Sequence, residues 1–178
     1  AHEGALNNLG NALAGKEEYA QAVQCYQQAL KSNRNDPEIH SNLGDVYQEQ
    51  GLLDDAVASY RDALGIDPNF FEVHIRLGNA LLDQSLLEDA VASFQSAIDI
   101  NPHSAEAHSY LGCALLEMGR LGEAFISFRR AVALEPENDS FWGGVAGSLK
   151  TLSFTSVDDN LLADLLHIIE MPMVRPSH

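Results

Sequence analysis

Apolar residues fall along this chain in two alternating helical stripes that return at a fixed interval. Over about residues 37–50, Ile39, Leu43, Val46 and Tyr47 share one face of a helix. Gly51 interrupts that stripe, and a second follows at Ala56, Val57, Tyr60, Ala63 and Leu64. It stops at Asp67-Pro68, because proline disfavours helix at the residue before it. A step of 34 residues brings the pattern back: Leu43-Gly44 becomes Leu77-Gly78, then Leu111-Gly112, and the backward step lands on Leu9-Gly10. Ala22, Ala56, Ala90 and Ala124 keep the interval, as do Tyr26, Tyr60, Phe94 and Phe128, and Ala29, Ala63, Ala97 and Ala131. Set places for small and aromatic residues in a fixed period predict a stacked-repeat protein. Four full copies are expected at about 3–36, 37–70, 71–104 and 105–138, with a fifth first helix at 139–151, so that residues 1–152 form one array.

The small residues have a packing reason. Helix axes about 8–10 Å apart leave little room between backbones. Glycine in each first helix lets the paired helix approach, and the alanines of the second helix do the same beside an aromatic that fills the remaining gap. Asp54 and Asp55 stand in the first turn of a second helix, where carboxylates complement the macrodipole. Asp67 and Asn101, each before a proline, are expected to cap the helices that follow.

This pattern resembles the tetratricopeptide repeat, a helix-turn-helix of about 34 residues. In the fifth copy Trp142 stands where that family has tryptophan, followed in register by Val145, Ala146 and Leu149. The chain departs from the family in carrying His40, His74 and His108 at the tryptophan place, and Arg34 where later repeats have proline. The resemblance implies an all-α fold, a right-handed α-solenoid of stacked helix pairs. After Leu152 the repeat decays through Ser153-Phe154-Thr155-Ser156. An apolar helix from Asn160 to Glu170, within 153–170, is expected to cover the last repeat as terminal elements of solenoids must. The sharper reading is that it docks on a following domain or another subunit. Residues 171–178, with Pro172 and Pro176, read as a tail or linker. Ala1-His2 already lies in helical register, which suggests a piece of something longer.

Charge narrows the partners. With 26 acidic against 10 basic residues the formal charge is −16, which repels nucleic acid and anionic membranes and favours neutral or basic partners. No apolar run approaches the roughly 20 residues that cross a bilayer. Cys25 and Cys113 are more than two repeats apart, so free thiols and a cytoplasmic setting are expected. The three histidines recur once per repeat, too far apart to share a metal at ligand distances of about 2 Å. No nucleophile–base pair or phosphate loop stands out, so the chain reads as non-catalytic, with no cofactor.

In tetratricopeptide proteins a polar stripe on the first helices lines a concave groove for an extended peptide or a partner's helix. Four such helices would span about 30–40 Å, roughly ten residues of extended chain. The groove candidates are Asn7, Asn8, Asn11, Asn42, Asp45, Glu49, Glu72, Arg76, Asn79, Glu106 and Tyr110. Ser41 and Ile75 fall in the same stripe. Asparagine amides both donate and accept, so a row of them can pair with a peptide main chain whatever its side chains. This row is similar to the asparagine ladder in protein O-GlcNAc transferases. Chaperone-adaptor members of the family instead hold a C-terminal carboxylate with lysines, asparagines and arginine. Asn11, Asn42 and Arg76 match that clamp, but Asn7 and Glu72 stand where its lysines belong, which argues against it. The expected function is a protein-interaction scaffold for a neutral or basic segment. Two alternatives stay open: the substrate-recruiting part of a larger transferase, similar to bacterial multidomain enzymes, and a module that self-associates through its C-terminal helix.

Overall fold

Four times along the chain a first helix ends in the same left-handed turn. Glu17, Gly51, Ser85 and Gly119 take φ of 62°, 72°, 60° and 74°. In each turn the next N–H reaches back to the carbonyl five residues earlier, as Leu52 does to Tyr47 and Leu86 to Leu81, both at 2.9 Å. This is a Schellman closure, which satisfies carbonyls that the helix end would otherwise leave unpaired. Glycine adopts that backbone freely, whereas a residue with a Cβ is strained there by about 1–2 kcal/mol. Ser85→Gly should therefore raise stability by about 0.5–1 kcal/mol, read as a gain of a few degrees in melting temperature. Gly119→Ser should lower it by a similar amount.

The computed structural model describes residues 2–152. Among them are nine α-helices: α1 (His2–Ala14), α2 (Tyr19–Ser32), α3 (Pro37–Glu49), α4 (Leu53–Ile66), α5 (Phe71–Asp83), α6 (Leu87–Ile100), α7 (Ala105–Glu117), α8 (Leu121–Leu134) and α9 (Asp139–Leu152). Consecutive helices pack as antiparallel neighbours, and each odd-numbered helix also touches the next odd-numbered one. The array is thus an α-solenoid, with the first helices α1, α3, α5, α7 and α9 side by side. The expected C-terminal helix at 153–170 and the tail at 171–178 lie outside the described residues.

Each helix pair is held at one spot by glycine under an aromatic ring. A Cβ added at Gly10, Gly44, Gly78 or Gly112 would meet the ring of Tyr26, Tyr60, Phe94 or Phe128 at 2.9 Å or less. The alanines flanking those rings, from Ala22 to Ala131, are fully buried. Gly144 of α9 presses on Phe128 as well, so that ring serves two interfaces. Buried Ser59, Ser93 and Ser127 recur one place before the ring, and each hydroxyl donates to the carbonyl four residues back at 2.8–2.9 Å. Cys25 takes that place in the first repeat, a packing reason for a small side chain there.

Two expectations change at the repeat junctions. Asp67 and Asn101 do not cap the helices that follow. They end α4 and α6, and their carboxyl and amide oxygens accept from Asn69 and His103 two residues on. Proline and the turn after it push the next helix start further along, to Phe70 without a side-chain cap and to Ser104, whose hydroxyl accepts from the Ala107 N–H. Asp36, at the equivalent place before α3, is a cap as well: it accepts from Glu38 and Ile39 with Pro37 in the first turn. The histidines also have a specific task. Nε2 of His40, His74 and His108 lies 3.0, 2.9 and 3.1 Å from the carbonyl oxygens of Arg34, Pro68 and Pro102. Trp142 donates its indole N–H to Pro136 at 3.0 Å in the same geometry. An imidazole N–H thus replaces the indole N–H in tying the inter-repeat turn to the next helix.

Candidate peptide-binding face

The first helices present one side chain layer toward their own neighbours and another toward solvent. Helical spacing puts residues three and four apart on this face, but the distance between adjacent helices decides which remain reachable. Ser41 and Ile75 are buried between first helices and do not line the face. Asn8, Asn11, Glu49, Glu72 and Glu106 are exposed on it, and Asn7, Asn42, Asp45, Arg76, Asn79 and Tyr110 are half-buried.

At the α1–α3 end the face is amide-rich. Asn42 donates Nδ2 to Asn7 Oδ1 at 3.0 Å, so each asparagine fixes the other while keeping one amide valence. Asn11 Oδ1 accepts from the Tyr26 hydroxyl at 2.6 Å, which turns its NH2 group outward. Burial and the nearby Asp45 carboxylate push the Tyr26 hydroxyl up to about 12, so it stays a donor at neutral pH.

At α3–α5 the face is a closed polar network. Arg76 donates Nη1 to Ser41 Oγ at 2.7 Å and to Asp45 Oδ2 at 2.8 Å. The other Asp45 oxygen accepts from the Tyr60 hydroxyl at 2.8 Å, and Tyr60 also bonds Gln48 Oε1 at 3.0 Å. Gln48 in turn donates to Asp83 at 3.2 Å. Arg76, the one base among the described groove candidates, is therefore neutralised inside the fold. Burial pushes the Asp45 carboxyl above its ordinary value; Arg76 and the Tyr60 hydrogen bond pull it back without cancelling the shift, and Glu49 adds to it. The folded state then binds this proton more tightly than the unfolded chain. The sign is that stability falls as pH rises through the raised value, and recovers on acidification toward 3.8. Thermal melts at pH 7 and pH 5 should show a gain at pH 5 that is smaller in Asp45→Asn than in the parent.

At α5–α7 the face turns apolar and acidic. Tyr110 stacks on Phe94 with centroids 5.5 Å apart and planes 18° apart. Burial raises its hydroxyl pKa, the Glu106 carboxylate raises it further, and a hydrogen bond with Asn79 opposes both. Leu82, Cys113 and Leu116, also half-buried, pack against the same apolar cluster. The structure thus joins Asn7 to Asn42, Asp45 to Arg76, and Tyr110 to Asn79 and Glu106, while Asn8, Glu49 and Glu72 face solvent. Ser41, Gln48 and Asp83 stand in the stripe that the sequence assigns to the groove, whereas the hydroxyls of Tyr26 and Tyr60 were not among the candidates. Their signal was present: the packing aromatic is tyrosine in the two repeats whose groove residue is Asn11 or Asp45, and phenylalanine in the next two.

Among the described residues no group of three or more His, Cys, Asp or Glu side chains is placed to hold a metal ion. No helix among them is long and apolar enough to cross a membrane.

Comparison with known proteins agrees with this geometry. A family model described as a TPR repeat matches residues 10–51 and 46–85, and one described as a tetratricopeptide repeat matches 75–139. A search of curated proteins gave no significant match. Among solved structures, the MamA protein superposes with a TM-score of 0.80 at 21% identity, covering 95% of this chain and 91% of that one. YrrB, a TPR protein with an unusual peptide-binding site, gives 0.73 at 21% identity over 92% and 83%. The first TPR of Spaghetti (RPAP3) bound to the HSP90 peptide SRMEEVD gives 0.64 at 22% identity over 66% and 93%. The matched models run across all four helix pairs, and the chain belongs to the tetratricopeptide repeat family.

Proposed function

We infer that this chain is a non-catalytic interaction scaffold whose first-helix face holds an extended, neutral or basic segment of a partner protein. The observation that carries the reading is the state of the charges on that face. Arg76 is held by Asp45 and Ser41, while Glu49, Glu72 and Glu106 stay exposed. An approaching anion meets carboxylates and no available base among the groove candidates, and an approaching lysine or arginine meets the reverse. The Spaghetti domain binds an acidic peptide, SRMEEVD. Here Asn7 and Glu72 replace the lysines of such a clamp, which removes that attraction. Amides at Asn7, Asn8, Asn11 and Asn42 supply main-chain pairing at one end, and Tyr110 with Leu82 and Leu116 supplies an apolar seat at the other.

Selection from a random decapeptide library should enrich lysine and arginine and deplete aspartate and glutamate. The selected peptides should weaken several-fold when salt is raised from about 0.05 to 0.3 M, since exposed charges are screened. Asn42→Ala/Asn79→Ala should reduce their affinity about tenfold with little loss of helix by circular dichroism. Enrichment of acidic peptides, or unchanged affinity in the double variant, would sink the reading.

A further inference from the structure

The first helices α3, α5 and α7 each end on a carboxylate: Glu49, Asp83 and Glu117. All three are exposed, and the last turn of none of these helices holds a base. A helix C-terminus carries partial negative charge, which a cation stabilises and a carboxylate opposes. Arg61, Arg76 and Arg120 offer no compensation, since they pair with Asp89, Asp45 and Glu123. Asp83 accepts from Gln48 through Oδ2, but an amide leaves its charge in place. A placement that helix stability disfavours, made three times at a step of 34 residues, points to a use outside the fold. The three carboxylates border the groove stripe as a rail, one per first helix and therefore roughly 10 Å apart.

A ligand that follows this rail must return a basic residue to the same side at that interval. A β-strand does so every second residue, at about 6.6 Å, and its third residue points away. An α-helix meets the interval at every seventh residue, but its main chain is already bonded. Polyproline II meets it at every third residue, roughly 9 Å, and its carbonyls are free to accept. The groove supplies donors at the same interval: Asn11 on α1, Asn42 on α3 and Asn79 on α5, one amide per first helix. Half-buried Tyr110, stacked on Phe94, adds an aromatic surface of the kind on which proline rings pack. Resting on the groove reading above, we propose that the occupant is a proline-rich polyproline II segment with lysine or arginine at every third position. Its basic face lies along Glu49, Asp83 and Glu117, and its carbonyls face the amides.

The test uses the full chain and two fluorescent nine-residue peptides of one composition, three lysines and six prolines. In the first peptide lysine recurs at every third position. In the second it recurs at every second position, and the remaining prolines follow. Fluorescence anisotropy at low salt should show the first binding at least about fivefold more tightly. Replacing its prolines by glycine keeps the lysine register and should weaken binding several-fold, because a flexible chain must then be ordered. Glu49→Gln/Asp83→Asn/Glu117→Gln should abolish the preference between the two proline peptides. Asp55→Asn/Glu88→Gln/Asp99→Asn removes the same charge from second helices and should keep it. Both triple variants should retain the parent's helix content, since all six side chains are exposed. Equal binding of the two proline peptides, or a preference that survives in the first-helix variant, overturns the proposal and leaves the groove reading standing. Absence of binding by every lysine peptide overturns both.

Discussion

Phe94→Ala should lower the stability of the array by about 3–5 kcal/mol, the largest loss expected from any single truncation here. Phe94 is fully buried, lies on Gly78 where a Cβ would come within 2.4 Å of the ring, and stacks on Tyr110 of the next repeat. It therefore belongs to two interfaces, α5 with α6 and α6 with α7. The cavity cannot close by collapse, since Ala90 and Ala97 on either side are already at full contact with their neighbours. Solenoid stability is close to a sum of repeat and nearest-neighbour terms, so the loss falls on the middle of the array. Urea unfolding followed by circular dichroism should shift to lower midpoint and broaden or split into two steps, as the halves lose their coupling. The reverse change makes the same point from the glycine side. Gly78→Ala forces the ring away and should cost about 1–3 kcal/mol. A single sharp transition with an unchanged midpoint in Phe94→Ala would show that the ring does not couple the repeats.

Arg76→Ala should cost about 1–3 kcal/mol at neutral pH, toward the lower end because Arg76 and Asp45 are each 39% exposed. The ion pair itself contributes little: burial outweighs Arg76 and leaves the Asp45 pKa raised. Removing only one partner is different, because a partly buried carboxylate is left with the Tyr60 hydrogen bond alone. Two further results follow from that cause. The loss should be smaller at pH 4 than at pH 7, because removing Arg76 takes away the charge that lowers the Asp45 pKa and the carboxyl takes up a proton more readily as pH falls. It should also be largely recovered in Arg76→Ala/Asp45→Asn, a coupling read from a double-mutant cycle. Basic peptides should bind the single variant more tightly, since it adds one unpaired negative charge to the face. An equal loss at both pH values would mean that Arg76 acts through packing of its stem.

The fold was legible because each helix pair restates the same local information. Helical spacing of Leu43, Val46 and Tyr47, the turn at Gly51 and the break at Pro68 are short-range signals, and the 34-residue return removed the ambiguity that any one of them carries. The caps at Asp67 and Asn101 were misread because a proline two or three residues before a helix shifts its first turn. Sequence spacing alone does not reveal that shift. The candidate site was legible only as a stripe. Ser41 and Asn42 are adjacent in it, yet Ser41 is buried under Arg76 and Asn42 is half-exposed beside Asn7.

What this sequence determined by itself was the architecture: two helices per repeat, their order, and the glycine, alanine and aromatic places where they touch. Those choices rest on propensity and on contacts within one repeat, which a short stretch of chain specifies. Tertiary structure alone decided the pairings between repeats. Arg76 with Asp45 and Asn42 with Asn7 depend on how far one helix stands from the next. So does the exposure of Leu9, whose residue type is the same as that of buried Leu43, Leu77 and Leu111. Burial is a property of the neighbour, and a residue's own sequence position does not say whether that neighbour is there.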